Sequence, residues 1–141
     1  MSRYLIDTNH LSEAIRRVSV LRDLVQSREI TGDEFFTIGP ALCELEVGIQ
    51  RTKDVDGNRQ RLGWLLQCVE VVPIDTTIAI EFGRLSHLAK SRGREMSQVD
   101  RMLAAVAILL DATLLTTDRD FEGLPEVAVE DWLPDAGTRR A

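Results

Sequence analysis

Four acidic residues are placed where chemistry is possible: Asp7, Glu44, Asp100 and Asp118. Asp7 ends the apolar run Arg3 to Ile6 and opens Asp-Thr-Asn. Asp118 follows the apolar run 112–116 in the same manner. Glu44 lies one turn into a segment opened by Pro40, and Asp100 lies just after Ser97 at the head of a long apolar stretch. Two like charges ~4 Å apart repel by about 4 kcal/mol at an effective dielectric of 20. Four carboxylates meeting in one pocket therefore call for a cation. A ligand set made only of oxygen selects a hard metal, Mg²⁺ or Mn²⁺. Such an ion activates a bound water to attack a phosphodiester and stabilises charge on the phosphoryl oxygens.

Each acid alone also has an ordinary reading. An aspartate after a strand caps helices and makes turns. Asp100 in a first helical turn is favoured by the helix dipole. Glu44 alone reads as a solvated helix residue. The residues by themselves leave both accounts open, and the elements that carry them must decide whether the four converge.

Arg3 to Ile6 reads as a buried strand, with a helix from about Leu11. Val20, Leu21, Leu24 and Val25 share one helical face. Phe35 to Ile38 reads as a second strand, and Pro40 opens a helix to about Gln50 where its missing N–H costs nothing. Ala41 and Gly48 flank Glu44 on its face and leave room for a neighbouring backbone; Leu42, Leu45 and Ile49 turn to the core. Lys53 to Asn58, charged and containing Gly57, predicts a loop. Leu62, Leu65, Leu66 and Val69 then give a helical stripe, and Val69 to Ile74 a third strand. Ile78, Phe82, Leu85 and Ala89 predict a helix ended by Gly93. Ser97 N-caps the next, which runs to about Leu110. Ala112 to Thr116 is a fourth strand, Val127 to Val129 a fifth, and the tail after Pro134 reads as frayed.

Alternating strands and helices imply a parallel sheet covered on both faces. Ligands of such sheets sit beyond the carboxyl ends of the strands. Asp7 and Asp118 share that edge, and are close if their strands are neighbours.

The chain has 141 residues, enough for one domain over 1–141. Aromatic residues make up only 5%, so the core must be aliphatic. Cys43 and Cys68 have neither a CxxC spacing nor neighbouring histidines, which excludes a disulfide scaffold and a zinc site. The most apolar segment, Met102 to Leu115, falls short of the ~20 residues a membrane span needs. No apolar stretch with a small-residue cleavage site marks a leader at the N-terminus. The expectation is a cytoplasmic protein without membrane contact. A net charge of −6 excludes nucleic-acid binding over the whole surface and confines any such contact to a local patch.

Beyond these physical readings, YLIDTNHLSE, ELEVGI and VDRMLAAVAILLDATLLTTDRDF resemble a PIN domain, and in particular the VapC toxins of bacterial type II toxin–antitoxin pairs. Motif order and spacing match from Tyr4 to about Trp132, and VEDWL resembles the family's closing strand. The resemblance implies a three-layer α/β/α sandwich with a mostly parallel sheet of four to five strands. It implies a Mg²⁺-dependent endoribonuclease, with Mn²⁺ as a substitute, acting on an RNA substrate. A VapB-like antitoxin and a homodimer are further implications. Residue by residue, the family's four acids fall on Asp7, Glu44, Asp100 and Asp118. Asn9 and Thr116 fall on positions that orient acids or water, with Asp120 as a supporting neighbour. Gly39-Pro40-Ala41 departs from the Ser or Thr usual ahead of the glutamate, which touches substrate or water contacts but not the ligands.

Lys90, Arg92 and Arg94 form a candidate rim for RNA phosphates, or simply a solvated loop. His10 reads as a surface residue of the first helical turn, with a substrate contact as the alternative; His87 is expected at the surface, Arg101 and Arg119 as counter-charges to the acids, and Trp64 and Trp132 as packing residues. The Leu21–Val25 face reads as a candidate dimer contact or as part of the core. Two other functions are possible. An aspartyl-phosphate phosphatase requires Asp-x-Asp after the first strand, where this chain has Asn9. A catalytically inactive PIN-fold binding module would have lost one or more acids, and all four are present.

Overall fold

A computed structural model describes residues 1–93 and 95–133. Arg94 and the tail after Leu133 lie outside the described residues. The elements run β1 (Arg3–Ile6), α1 (Thr8–Ala14), α2 (Val20–Ile30), β2 (Glu34–Ile38), α3 (Gly39–Gln50), α4 (Val55–Leu65), β3 (Val69–Val72), α5 (Thr76–Ser91), α6 (Gln98–Leu110), β4 (Thr113–Leu115) and β5 (Val129–Glu130), with a 3-10 turn at Arg119–Gly123.

All five strands are parallel, in the order β3-β2-β1-β4-β5. The chain leaves β1 toward β2 and β3, then crosses back to β4 on β1's other side. Right-handed crossovers therefore put α1–α4 on one face and α5 and α6 on the other. The contacts agree: α1 packs on α2 and α3, α3 on α4, and α5 on α6. The central strands are buried on both faces, as parallel strands between helix layers must be. The expected three-layer sandwich is present, with a sheet that is wholly rather than mostly parallel.

Several boundaries differ from the sequence expectation, each for a local reason. α1 starts at Thr8 because Asp7 caps it. The predicted loop 53–58 is mostly helix: α4 begins at Val55, capped by the Asp54 side chain, which accepts from Gly57 N–H at 3.1 Å. Gly57 permits that cap, since a Cβ there would lie 2.1 Å from Asp54 Oδ2. Gly93 closes α5 with φ +68°, as expected of a residue without a Cβ. Leu21 and Val25 are core residues, so the predicted contact face is not free; Val18, Val20 and Ile30 are the exposed apolar residues around α2. Trp64 is 45% exposed and is not a packing residue, whereas Trp132 packs against Tyr4 with ring centroids 4.7 Å apart. Among the described residues no helix is long and apolar enough to cross a membrane.

Candidate active site

β1 and β4 are the pair at which the strand order reverses, with Ile6 beside Leu115. A crevice opens beyond the carboxyl ends of such a pair. Asp7 extends the pairing by one bond, its N–H donating to Leu115 O at 3.2 Å. It is 5% exposed, and its Oδ1 accepts the His10 backbone N–H at 2.8 Å. Asp118 leaves β4 in a comparable turn. Its N–H donates to the buried Thr116 Oγ1 at 3.0 Å, and its Oδ1 accepts the Asp120 N–H at 2.9 Å, capping the 3-10 turn.

Asp100 reaches the same place from the first turn of α6, which Ser97 caps by accepting its N–H at 3.1 Å. Carboxylate oxygens of Asp100, Asp118 and Asp120 lie within 4.8 Å of one another. Burial, then the neighbouring Asp118 and Glu44 charges, push the Asp100 carboxyl up to about 6, against the opposing hydrogen bond from Ser97. Glu44 arrives from the opposite helix layer on α3, its Oε1 accepting the Thr8 hydroxyl at 2.7 Å. Asn9 is exposed and donates to Thr117 Oγ1 at 3.3 Å. The site thus gathers elements from both faces of the sheet at one edge. Its donors are oxygens held closer than like charges favour, and that fits a hard divalent cation.

Asp120, expected only to support, falls inside the closest acidic group. The sequence reading missed Thr8 and Thr117, which hold Glu44 and Asn9. It also misplaced His10, which is fully buried rather than at the surface. The signal for His10 was available: it follows Asp7 by three residues, on the stripe with Leu11 and Ala14 that faces the core. His87 is exposed, as expected. Arg92 is committed to structure: it donates to Gly123 O at 3.0 Å and faces Glu126 at 3.9 Å. Lys90 is exposed and lines a groove with His87 and Arg101. Arg119 pairs with Glu122 at 3.1 Å, and Arg101 lies over the Phe82 ring at 5.3 Å, so neither forms an ion pair with the acids. Gly48 meets no neighbouring backbone; its side lies open in a groove lined by Thr8, Glu44 and Asn58.

A parallel sheet of this order, with Asp100, Asp118 and Asp120 clustered beyond β4, and with Asp7 at the end of the adjacent β1 and Glu44 on α3 both outside that closest group, defines a protein class. The chain belongs to the PIN domain family, which matches residues 4–127. Within it, the chain is similar to ribonuclease VapC5 of Mycobacterium tuberculosis, at 35% identity over 99 residues, covering 68% of this chain and 73% of that one. It is also similar to ribonuclease VapC2 of Rickettsia felis, at 26% identity over 92 residues and 64% and 69% coverage. In three dimensions it resembles a chain of VapBC2 from Rickettsia felis, a complex bound to a DNA fragment from its promoter. The TM-score is 0.81 at 22% identity, over 93% of this chain and 99% of that one. A chain of VapBC-5, a member of the VapBC family of toxin–antitoxin systems from Mycobacterium tuberculosis, gives a TM-score of 0.63 at 26% identity, over 93% and 98%.

Proposed function

We propose that this chain, as a single PIN domain, is a metal-dependent endoribonuclease toxin that hydrolyses RNA phosphodiester bonds and is neutralised by a VapB-like antitoxin. One observation supports the reading: the carboxylates of Asp100, Asp118 and Asp120 lie within 4.8 Å of one another beyond the end of β4, the strand paired with the one Asp7 follows, in a chain 35% identical to a VapC ribonuclease. Asp7, Glu44, Asp100 and Asp118 would hold Mg²⁺, with Mn²⁺ as a substitute and Asp120 beside them. When bound, such a cation supplies an activated water and neutralises charge at the phosphoryl group.

The chain's own residues do the positioning. Thr8 aims Glu44, Thr116 and the Asp120 N–H fix Asp118, and Ser97 fixes the helix end that presents Asp100. Lys90 and Arg101 line a groove beside α6, where a phosphate backbone would be held without reading its sequence. Arg92 is left out of that rim because its guanidinium is already engaged. The antitoxin rests on the solved relatives, which are VapBC complexes. Exposed Val18, Val20 and Ile30 offer apolar surface to an antitoxin or a second copy. A cytoplasmic setting belongs to the same proposal.

The test is cleavage of total RNA by the purified chain with Mg²⁺, with Mn²⁺ and with chelator. Cleavage is expected with either metal and absent with chelator, and both Asp7→Ala and Asp100→Asn abolish it. If both variants cut as fast as the parent, the residue assignment is wrong. A chain that binds neither metal in a calorimetric titration is instead a non-catalytic binding module.

A further inference from the structure

Among the described residues, His10 is the one fully buried ionisable side chain whose role the acids do not explain. Its two ring nitrogens have different partners. Nδ1 lies 3.2 Å from Asp7 Oδ1. Nε2 accepts the Trp132 backbone N–H at 3.1 Å. A backbone N–H can only donate, so Nε2 must present its lone pair, and the ring proton sits on Nδ1 facing Asp7. Asp131 Oδ1 stands 3.5 Å from Nε2, too far to displace that donor, and it already accepts the Leu133 N–H at 2.9 Å.

Asp7 Oδ1 therefore receives two donors, the His10 backbone N–H and the His10 ring. No other hydrogen bond is made to the Asp7 carboxylate among the described residues. One oxygen is spent and the other is left for the site. On the far side, His10 is held through Trp132, whose ring packs against Tyr4 and Phe35 and lies 5.0 Å under the Arg28 guanidinium. A continuous path runs from the aromatic cluster under β1 and β2, through the segment after β5, to the first acid of the site.

We propose that His10 is a positioning residue: donating from Nδ1, it fixes the Asp7 carboxylate in the orientation that binds the metal, while the Trp132 N–H at Nε2 holds the ring in that tautomer. The proposal rests on the metal-binding part of the functional reading. Partners of this kind typically change metal affinity 10- to 100-fold when lost.

Two near-isosteric variants separate the ring's two contacts. In His10→Asn the amide nitrogen replaces Nδ1 and keeps the donor to Asp7, while the Trp132 contact is lost. In His10→Gln the amide oxygen replaces Nε2 and keeps the Trp132 contact, while the donor to Asp7 is lost. Each leaves one group unpaired and a gap in the core, so their melting temperatures should fall together. Mn²⁺ affinity, measured by calorimetry without RNA on folded protein, should separate them. His10→Asn is expected within about threefold of the parent, and His10→Gln about tenfold weaker or more. Nitrogen-15 NMR of the parent ring at neutral pH should show the proton on Nδ1 alone.

A proton on Nε2, on both nitrogens, or equal Mn²⁺ affinities in the two variants would overturn the proposal. So would absence of Mn²⁺ binding by the parent. If the affinities split as expected but no RNA is cut, the ribonuclease reading fails and the positioning role stands. If RNA is cut and the affinities do not split, the reverse holds.

Discussion

Replacing Asp100 by Asn should make the metal-free protein more stable while abolishing the proposed activity. The Asp100 carboxyl is pushed from an ordinary 3.8 to about 6, chiefly by burial and then by Asp118 and Glu44. A rise of that size corresponds to about 3 kcal/mol against the charged form. Asp100 is only partly buried, and solvent screening at a half-exposed site cuts this to about 1–2 kcal/mol. Asn also forgoes the favourable helix-dipole interaction of a carboxylate at this position, roughly 0.3–1 kcal/mol. The net expectation for Asp100→Asn above pH 7 is a gain of about 1 kcal/mol, or roughly 3 °C in Tm for a chain of this size.

The pH dependence gives the sign. Between the unfolded value near 3.8 and the folded value near 6, the folded parent holds more protons than the unfolded chain. Parent stability from this group is therefore greatest below pH 4 and falls as pH rises through 6, then levels off. The advantage of Asp100→Asn should vanish near pH 4, grow to pH 6 and hold constant above it. Thermal melts in chelator at pH 4, 6 and 8 measure this. Saturating Mg²⁺ should reverse the order at pH 8, because a ligand that binds only the folded parent raises its Tm by mass action. A variant less stable than the parent at pH 8 in chelator, or a difference independent of pH, would refute the electrostatic argument.

Other consequences are more local. Thr8→Val removes the 2.7 Å hydroxyl bond to Glu44 and should lower kcat about tenfold with a Tm change under ~2 °C; a kcat equal to the parent's would detach Thr8 from the site. Arg92→Ala should cost about 1 kcal/mol of stability through the lost Gly123 bond, with the salt dependence of RNA binding unchanged. Lys90→Ala should leave stability alone and reduce the slope of log affinity against log salt by roughly 0.7. Phe121→Ala, at 1% exposure, should cost about 3–5 kcal/mol in a chemical denaturation.

What was legible in the sequence followed from short-range rules. Asp7 and Asp118 were placed by strand ends, and the parallel β1–β4 pairing brings those ends together. Ser97 declared the start of α6 through cap chemistry, and the helix appears where the cap demands. The readings that failed involved residues with two local meanings. Gly57 was taken for a loop residue, yet its missing Cβ makes room for the Asp54 cap of α4. His10 was placed at the surface because it follows a polar triplet. The stripe it shares with Leu11 and Ala14 announces its burial, but its partner Trp132, 122 residues away, is encoded by no local pattern. Arg92 looked like a free cation for the same reason; its partners Gly123 and Glu126 come from across the fold.

The choice between helix cap and metal ligand, open for Asp7 in the sequence, dissolves in the structure. A carboxylate has two oxygens. Asp7 gives Oδ1 to the α1 backbone, and Asp118 gives Oδ1 to the N–H of Asp120. Each cap bond fixes the carboxylate plane and commits one oxygen, so the second is presented in a single orientation before any ligand arrives. Rotamer freedom of roughly 0.5–1.5 kcal/mol per side chain is thus lost on folding and need not be lost on binding. Asp100 is held differently. Its backbone N–H is fixed by Ser97, but its carboxyl is crowded by other acids, and it is the one driven toward neutrality. In the proposed site the capped pair would supply geometry, and Asp100 the charge strain that a divalent cation would relieve.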